Sequence, residues 1–227
     1  NLGRAYLEAW RLIFISNRDG NFELYRCTPD GRYSLRLTNN SFPDFCPAPS
    51  PDGKKIAYAA APTDYEIRLS DATTGWSSTF ADLTGDDYFP AWSPDSKKIA
   101  WINNNAGAFT LNIENANGTG GVSSLSLGTG PAYNTSWSPD GTRIAFDQND
   151  GIDTEIKMVR SDLSGSIWSV TDDNIQEAYP IWSHDGSTIY ISAHATVGYF
   201  QLAYLDGSSG FWPGNTYSPS FLTNEPW

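Results

Sequence analysis

The chain has 227 residues, with 14 Lys and Arg against 26 Asp and Glu, which gives a net charge of −12. A negative charge of this size argues against nucleic acid or an anionic membrane surface as the main partner. No apolar run approaches the roughly 18 residues that a transmembrane helix needs, so the sequence predicts no membrane span.

The N-terminal part of the chain predicts a short extension followed by an incomplete structural unit. Residues 1–11 match no repeat, and we expect them to form an N-terminal extension or strap. The apolar run 12–16 predicts a strand, and residues 17–21 predict a turn because they are rich in Asn, Asp and Gly. Further strands are predicted at 23–27 and 36–38. This unit lacks the opening strand that later units have.

One phrase then recurs four times: an aromatic residue or proline, Ser-Pro-Asp-Gly or a close copy, and a short apolar run. The isoleucines that begin the apolar runs are spaced by 43, 45 and 45 residues: Ile56, Ile99, Ile144 and Ile189. Proline presets the backbone of a turn, and glycine accepts the left-handed conformation that often ends it. A period in the forties, with several short strands in each unit, is typical of a β-propeller.

The C-terminal residues 217–221 resemble 88–92, and they therefore predict the opening strand that the first unit lacks. We predict an all-β fold, a single five-bladed β-propeller of four-stranded antiparallel blades over residues 12–227. Pairing of the C-terminal strand with the N-terminal blade would close the ring and remove two exposed sheet edges. The predicted blades are 12–38 together with 217–227, then about 45–84, 88–127, 133–171 and 178–213.

The two cysteines are predicted to remain free thiols. Cys27 falls near the end of a third strand and Cys46 at the start of a first strand, and these ends lie on opposite faces of a propeller. A disulfide needs Cα atoms within about 7 Å of each other.

Two stretches resemble the TolB-type, WD-like propeller repeat. One is the sequence from Ile13 to Tyr25, which leads to Pro29-Asp30-Gly31 and Arg36-Leu37-Thr38, and the other is Pro90-Ala91-Trp92-Ser93-Pro94-Asp95 with its three copies. The resemblance covers residues 12–221. It implies a propeller that binds a peptide or gates another domain at the channel mouth, although similar repeats also occur in prolyl-oligopeptidase-like enzymes. It further implies a periplasmic or extracellular location, so we expect a non-catalytic binding or scaffold module for a peptide, protein or glycan.

Residues just before the innermost strands predict the binding site. At the position three residues before Pro90 and its equivalents, the chain has Asp44, Asp87, Ala132, Glu177 and Thr216. The next position holds Phe45, Tyr88, Tyr133, Ala178 and Tyr217. Carboxylates and aromatic rings both attract ammonium and guanidinium groups, and aromatic rings also form sugar platforms. We therefore predict seven ligand contacts: Asp44, Asp87, Glu177, Phe45, Tyr88, Tyr133 and Tyr217.

A structural role for the same residues stays open. An acidic residue before a strand can cap its own loop by accepting backbone N–H hydrogen bonds. The aromatic residue beside it can fill the gap between two blades.

Calcium is the one cofactor that the sequence suggests. Asp150, Asp153 and Glu155 place acidic oxygens at nearly alternating positions in a loop, which suits calcium. The EF-hand pattern is not met, and no other cofactor is expected.

Catalytic motifs are scarce in this sequence. There is no Gly-x-Ser-x-Gly motif, and the two histidines, His184 and His194, offer little for a catalytic triad or a metal cluster. A glycosidase that uses Asp44, Asp87 and Glu177 remains one alternative, because glycosidases work with paired carboxylates. Self-assembly through exchange of terminal strands is another.

Overall fold

The computed structural model describes residues 12–196, 199–207, 210–211 and 215–222. Within these residues the chain forms nineteen β-strands and no helix, and hence no helix able to cross a membrane. The strands make five antiparallel sheets, which confirms the predicted all-β, five-bladed propeller. The predicted extension at 1–11 lies outside the described residues.

The five sheets follow one another along the chain. The first contains β1 (Leu12–Ser16), β2 (Glu23–Cys27) and β3 (Leu35–Arg36). The second contains β4 (Asp44–Pro49), β5 (Lys55–Ala60), β6 (Glu66–Asp71) and β7 (Ser77–Ala81). The third contains β8 (Asp86–Trp92), β9 (Lys98–Asn105), β10 (Ala108–Asn115) and β11 (Ser123–Gly128). The fourth contains β12 (Ala132–Trp137), β13 (Arg143–Asn149), β14 (Thr154–Arg160) and β15 (Trp168–Ser169). The fifth contains β16 (Gln176–Trp182), β17 (Thr188–Thr196), β18 (Tyr199–Asp206) and β19 (Ser220–Phe221).

The repeated Ser-Pro-Asp phrase forms a turn that caps itself. In the second sheet, the Ser50 hydroxyl donates to Asp52 Oδ1 at 2.7 Å, and the Lys55 N–H donates to Ser50 Oγ at 2.9 Å. Gly53 closes this turn with a φ of 70°, a conformation that glycine adopts without steric cost. The same serine–aspartate hydrogen bond occurs in the other three copies. The phrase therefore fixes the hairpin between the first two strands of each blade.

The apolar run after the turn alternates between two inter-blade cores. Ile56 and Tyr58 of β5 belong to the same buried cluster as Leu24 of the first sheet. Ala57, between them, belongs to the cluster that contains Trp92 of the third sheet. This division follows from the two-residue period of a strand, which sends neighbouring side chains to opposite faces. The second blade thus shares one core with the blade before it and another with the blade after it.

The tryptophan before the turn links consecutive blades by a hydrogen bond. Trp92 Nε1 donates to the Ala48 carbonyl at 2.9 Å, and Trp137 Nε1 donates to the Ala91 carbonyl at 3.1 Å. Trp182, at the equivalent position of the fifth sheet, has no hydrogen-bond partner for its Nε1 among the described residues. The innermost strands are therefore tied together over the second to fourth sheets.

One face of the fifth sheet stays exposed. Ala57, Ala100 and Ala145 are fully buried because the following blade covers them. The equivalent residue of the fifth sheet is Tyr190, and it is 40% exposed. Ile181, which pairs with Tyr190, is 62% exposed. The described residues of the first sheet therefore do not cover this face in the way that the other blades cover their neighbours.

The predicted ring closure needs correction. Ser220 and Phe221 pair with Tyr204 and Ala203 as the fourth strand of the fifth sheet, and not with β1. Phe221 also packs against the buried cluster between the fourth and fifth sheets. Ser220 and Phe221 pair with the free edge of β18. This segment is therefore not available as the innermost strand of the first blade. The first sheet consequently has three described strands, and residues 223–227 lie outside the described residues.

Both cysteines are free thiols, as the sequence analysis expected. Cys27 is buried in the first sheet, and Cys46 is half-buried on β4.

Candidate functional site

The innermost strands of four blades carry a β-bulge at the same repeat position. The strand register shifts just after Phe45, Tyr88, Tyr133 and Ala178. The residue that follows has a positive φ in each blade: 49° for Cys46, 54° for Phe89, 46° for Asn134 and 58° for Tyr179. Such values are uncommon in residues other than glycine and concentrate at functional sites. A bulge also re-aims the side chain that it carries.

The four bulge residues line one cavity of about 400 Å³. Because each comes from a different sheet, this cavity lies where the innermost strands meet, which is the central channel. The Thr135 hydroxyl donates to the Phe89 carbonyl at 2.7 Å and links the bulges of two neighbouring blades. Tyr179 is 60% exposed within this group. We call this space the channel cavity.

A second cavity of about 290 Å³ adjoins the first, because Cys46 and Phe89 line both. Its other aromatic walls are Phe45, Tyr65, Tyr88 and Tyr133. Ring centroids lie 5.7 Å apart for Phe89 and Tyr133, and 5.9 Å apart for Phe45 and Tyr65. We call this space the aromatic cleft.

Three of the four predicted aromatic residues therefore lie together. Phe45, Tyr88 and Tyr133 line the aromatic cleft. Tyr217 lies elsewhere: its hydroxyl donates to the Gly210 carbonyl at 2.8 Å, and its ring packs on Phe211 with centroids 4.9 Å apart.

Two further aromatic residues of the cleft, Tyr65 and Phe89, were missed by the sequence analysis. Phe89 directly precedes Pro90, and the predicted contacts were taken from the two positions before Phe89. Tyr65 precedes β6, and nothing in the repeat marked it.

The predicted acidic residues are buried. Asp44, Asp87 and Glu177 all have 0% exposure, so a ligand at the channel mouth has no access to their oxygens. Asp87 accepts hydrogen bonds from the Leu83 N–H at 2.7 Å and from Trp101 Nε1 at 2.8 Å. Burial raises the pKa of Asp87 to about 6. This geometry matches the loop-capping role that the sequence analysis left open, and it does not favour direct ligand contact.

Asp44 lies at the interface between the first two sheets. Burial raises the pKa of Asp44 to about 7, and the charge of Glu23 adds to the rise. Asn40 Nδ2 lies at 3.4 and 3.5 Å from the two Asp44 oxygens. Glu23 is itself buried and pairs with Arg36 at 3.0 Å. Asp44 is therefore part of a buried polar cluster between two blades.

Glu177 lies at the interface between the fourth and fifth sheets. Within the part of the chain that the structure describes, neither of its carboxylate oxygens has a hydrogen-bond partner. Burial raises the pKa of Glu177 to about 9, and the charges of Glu155 and Asp173 contribute to the rise.

The three predicted calcium ligands come together in the structure. Asp150, Asp153 and Glu155 each offer an oxygen within 4.8 Å of the others. Asp150 is exposed, and its Oδ1 accepts the N–H groups of Ile152 and Asp153 at 2.9 and 3.3 Å. Those hydrogen bonds are typical of an Asx turn, which forms without a metal. Calcium binding by this loop stays a prediction.

Asp147 is a channel residue that the sequence analysis missed. Its Oδ2 accepts from Asn134 Nδ2 at 2.8 Å and from the Tyr179 N–H at 2.9 Å, so it holds the bulges of two blades together. It is 1% exposed, and burial raises its pKa to about 6. The sequence did contain a signal for this residue: Asp147 follows the apolar run Ile144-Ala145-Phe146 within a predicted strand. A carboxylate at such a position indicates a specific role, because buried carboxylates are rare without one.

Comparison with known proteins agrees with this architecture. The sequence matches the TolB beta propeller domain family over residues 4–226. It is 41% identical over 63 residues to a protein TolB homolog from Chlorobaculum tepidum, a match that covers 28% of this chain and 14% of that protein.

Solved structures share the fold at low sequence identity. The crystal structure of TolB from Acinetobacter baumannii superposes with a TM-score of 0.79 at 21% identity, and the match covers 96% of this chain and 53% of that one. A Mycobacterium tuberculosis puromycin-hydrolyzing peptidase superposes with a TM-score of 0.69 at 13% identity, over 88% of this chain and 36% of that one. The chain thus spans about half of the TolB structure and a smaller part of the peptidase. Identities this low show the fold alone, whereas the family match extends over nearly the whole sequence, and the chain belongs to the TolB beta propeller domain family.

Proposed function

We propose that this propeller is a non-catalytic protein-binding module that takes a peptide segment of its partner into the aromatic cleft and the channel cavity. The observation that carries the proposal is that the two cavities lie side by side, with Cys46 and Phe89 lining both. Together they offer a concave surface with aromatic walls, and aromatic residues dominate the energetics of many protein interfaces. The family supports this function, because its repeats are typical of binding propellers.

The chemistry of the two cavities favours a segment with a basic residue. Among the described residues, the lining of the two cavities consists of aromatic, proline, isoleucine, small and amide side chains and contains no lysine or arginine. The faces of Tyr88 and Tyr133 attract an ammonium or guanidinium group by cation–π interaction. The net charge of −12 adds a long-range attraction for a cationic segment. A glycan is the competing ligand, because aromatic rings also stack on sugars.

A peptide array and a glycan array test the proposal with one set of proteins. The array peptides vary in charge and in aromatic content. The test variant combines Tyr88→Ala with Tyr133→Ala, and the matched control is Trp76→Ala, which removes a 71% exposed aromatic residue outside both cavities. We expect basic peptides to bind the wild type and the control equally and the double variant about tenfold more weakly. Equal binding by all three proteins would refute the cleft as the site, and selective glycan binding would replace the peptide.

We further propose a periplasmic or extracellular location for this module. The family match supports the periplasm in particular. Fractionation of cells that carry the native gene, followed by immunoblotting, tests this, and recovery with cytoplasmic marker proteins would contradict it.

The glycosidase alternative finds no support in the geometry. Asp44 lies by Glu23 of the first sheet, Asp87 by Trp101 of the third, and Glu177 by Glu155 of the fourth. A glycosidase needs two carboxyl groups that flank one glycosidic bond. Fully buried carboxylates at three separate interfaces do not meet that need.

Self-association is a second candidate function, favoured by the exposed face of the fifth sheet. Ile181, Tyr190 and Leu202 are 62%, 40% and 49% exposed on that sheet. Contiguous apolar surface of this kind marks interaction sites, and we propose a second copy of this chain as the occupant. Exchange of β19 is not needed, because β19 already pairs within its own sheet.

Sedimentation tests the self-association candidate. We expect the wild type to form concentration-dependent dimers or larger species. A variant with Ile181→Ser and Leu202→Ser should remain monomeric with an unchanged circular dichroism spectrum. A wild type that stays monomeric at all concentrations would exclude this candidate and leave the peptide-binding proposal untouched.

A further inference from the structure

Three carboxylates meet at the interface between the fourth and fifth sheets. Glu155 is at the start of β14, Asp173 follows β15, and Glu177 is at the start of β16. Each offers an oxygen within 4.8 Å of the other two. Glu155 and Glu177 are fully buried, whereas Asp173 is partly exposed and leaves a route from solvent. We call these residues the inter-blade triad.

Three of the four glutamate oxygens of the inter-blade triad lack a hydrogen-bond donor among the described residues. Both oxygens of Glu177 and Oε2 of Glu155 have no partner in the described structure. The other Glu155 oxygen accepts the Asp173 N–H at 3.2 Å. A buried ionised carboxylate without a donor or a counter-charge is strongly unfavourable, so these oxygens either hold a proton or bind a positive charge from outside the chain.

Two equivalent interfaces of the same molecule provide the comparison. Glu23, at the start of β2, pairs with Arg36 at 3.0 Å, and Glu66, at the start of β6, pairs with Arg68 at 2.6 Å. Glu155 occupies the same place on β14, but no ion pair to it is found among the described residues.

The nearest counterpart of Arg68 is directed elsewhere. Lys157 lies two residues after Glu155, as Arg68 lies two residues after Glu66, and its Nζ donates to Ser169 Oγ at 2.8 Å. The interface between the fourth and fifth sheets therefore has an additional acidic residue. Among the described residues, it lacks the arginine that pairs with Glu23 and with Glu66 at the other two interfaces.

We propose that the inter-blade triad binds a divalent cation of the calcium type, which supplies the positive charge that arginine supplies at the other two interfaces. Three carboxylates offer up to six oxygens, and calcium is bound by six to eight oxygens from flexible ligand sets. The triad has no nitrogen or sulfur ligand, which disfavours zinc and copper. The bound cation joins the fourth blade to the fifth, so it acts on the stability of the ring and is independent of the aromatic cleft.

This site differs from the loop of Asp150 and Asp153, although both groups include Glu155. Asp150 is exposed and its Oδ1 is already hydrogen bonded, whereas the oxygens of Glu177 are buried and unpartnered. Variants at Asp150 and Glu177 therefore separate the two sites.

Calorimetric titration of calcium chloride into chelator-treated protein tests the proposal. We expect one binding event in the wild type, and at least a tenfold loss of affinity in Glu177→Gln. Glu66→Gln is the matched control, because it alters the equivalent buried acid of another interface, and it should keep wild-type affinity. Asp150→Asn should also keep it, because Asp150 is not part of the triad.

Thermal melting gives the second readout. Calcium should raise the melting temperature of the wild type and of Glu66→Gln, and should leave Glu177→Gln unchanged. Without calcium, Glu177→Gln should melt no lower than the wild type, because it removes repulsion within the triad, and this shows that the variant folds.

Three results would overturn the proposal. The first is the absence of any calcium binding to the wild type, which would mean that a proton on the triad replaces the cation. The second is unchanged affinity in Glu177→Gln. The third is loss of binding in Asp150→Asn alone, which would assign the cation to the loop.

Discussion

A single buried carboxylate can accept hydrogen bonds from several groups at a blade interface. Asp87 shows how: one oxygen accepts the Leu83 N–H, and the other accepts Trp101 Nε1 and Asn103 Nδ2. One fully buried side chain thus accepts hydrogen bonds from a loop N–H, an indole N–H and an amide NH₂. Removal of such an acceptor leaves several buried donors without partners, each at a cost of about 1–3 kcal/mol.

Replacement of Asp87 should therefore destabilise the propeller. We expect Asp87→Ala to lower the free energy of unfolding by roughly 3 kcal/mol, measured by urea denaturation. Asp64→Ala, which alters an exposed loop carboxylate, is the control and should change it by less than about 0.5 kcal/mol. A similar effect of both changes would show that the Asp87 hydrogen bonds carry little of the stability.

The raised pKa of Asp44 predicts a pH dependence of stability. Its folded pKa of about 7 lies above the unfolded value of about 3.9, so between these values the folded state binds more protons than the unfolded chain. The stability that Asp44 contributes is thus complete below about pH 4 and is lost as the pH rises to about 7, with a slope of up to about 1.4 kcal/mol per pH unit.

Asp44→Asn should remove this part of the slope, as measured by urea denaturation from about pH 4 to pH 8. Asp185 is the control, because hydrogen bonds from Ser183 and Ser187 lower its pKa to about 2. Asp185→Asn should leave the slope above about pH 5 unchanged. The assignment fails if the Asp44→Asn and wild-type curves are parallel across the whole range.

At the scale of strands, the innermost strand both holds and shapes the ring. Its tryptophan donates to the strand of the preceding blade, and its bulge turns a side chain into the channel. The sequence pattern located the strands and the turns well, because the two-residue period and the Ser-Pro-Asp-Gly phrase are local signals. It did not show the bulges, because Cys46, Phe89, Asn134 and Tyr179 share no residue type. The bulges arise from pairing between strands.

Two tryptophans at equivalent positions give a matched test of the inter-blade hydrogen bond. Trp137 Nε1 donates to the Ala91 carbonyl, whereas Trp182 Nε1 has no partner in the described ranges. Both are 9% exposed, so replacement by phenylalanine removes similar apolar contact from each. We expect Trp137→Phe to cost about 1 kcal/mol more than Trp182→Phe, measured by urea denaturation. Equal losses of unfolding free energy would show that the indole hydrogen bond contributes no stability beyond that of packing.

At the scale of the whole molecule, the excess of acidic residues acts on association. A net charge of −12 attracts cationic ligands over distances that depend on salt, because the Debye length falls from about 10 Å at 0.1 M to about 3 Å at 1 M. The aromatic walls of the cleft, by contrast, act only at contact.

Salt should therefore weaken the binding of basic peptides. We expect an increase in sodium chloride from about 50 mM to about 500 mM to lower the affinity several-fold, mainly through slower association in stopped-flow measurements. An uncharged peptide with the same aromatic residues is the control and should bind equally at both concentrations. Salt-independent binding of the basic peptide would mean that the overall charge plays no part in recognition.

The sequence by itself determined the repeat, the number of blades, the turns and three of the aromatic residues that line the aromatic cleft, because each of these follows from a local pattern that returns along the blades. Only the tertiary structure decided the rest. It buried Asp44, Asp87 and Glu177 between blades, since a residue at the start of an innermost strand can face either the channel or the neighbouring sheet.

The tertiary structure also decided the pairing of the chain's last described strand. Residues 217–221 resemble an innermost strand, yet Ser220 and Phe221 pair with β18. A sequence match shows which residues are similar. It does not show which sheet edge is unpaired and close enough for the segment to join. The same holds for the inter-blade triad: Glu155, Asp173 and Glu177 are ordinary members of their repeats, and only the packing of two blades brings their oxygens together.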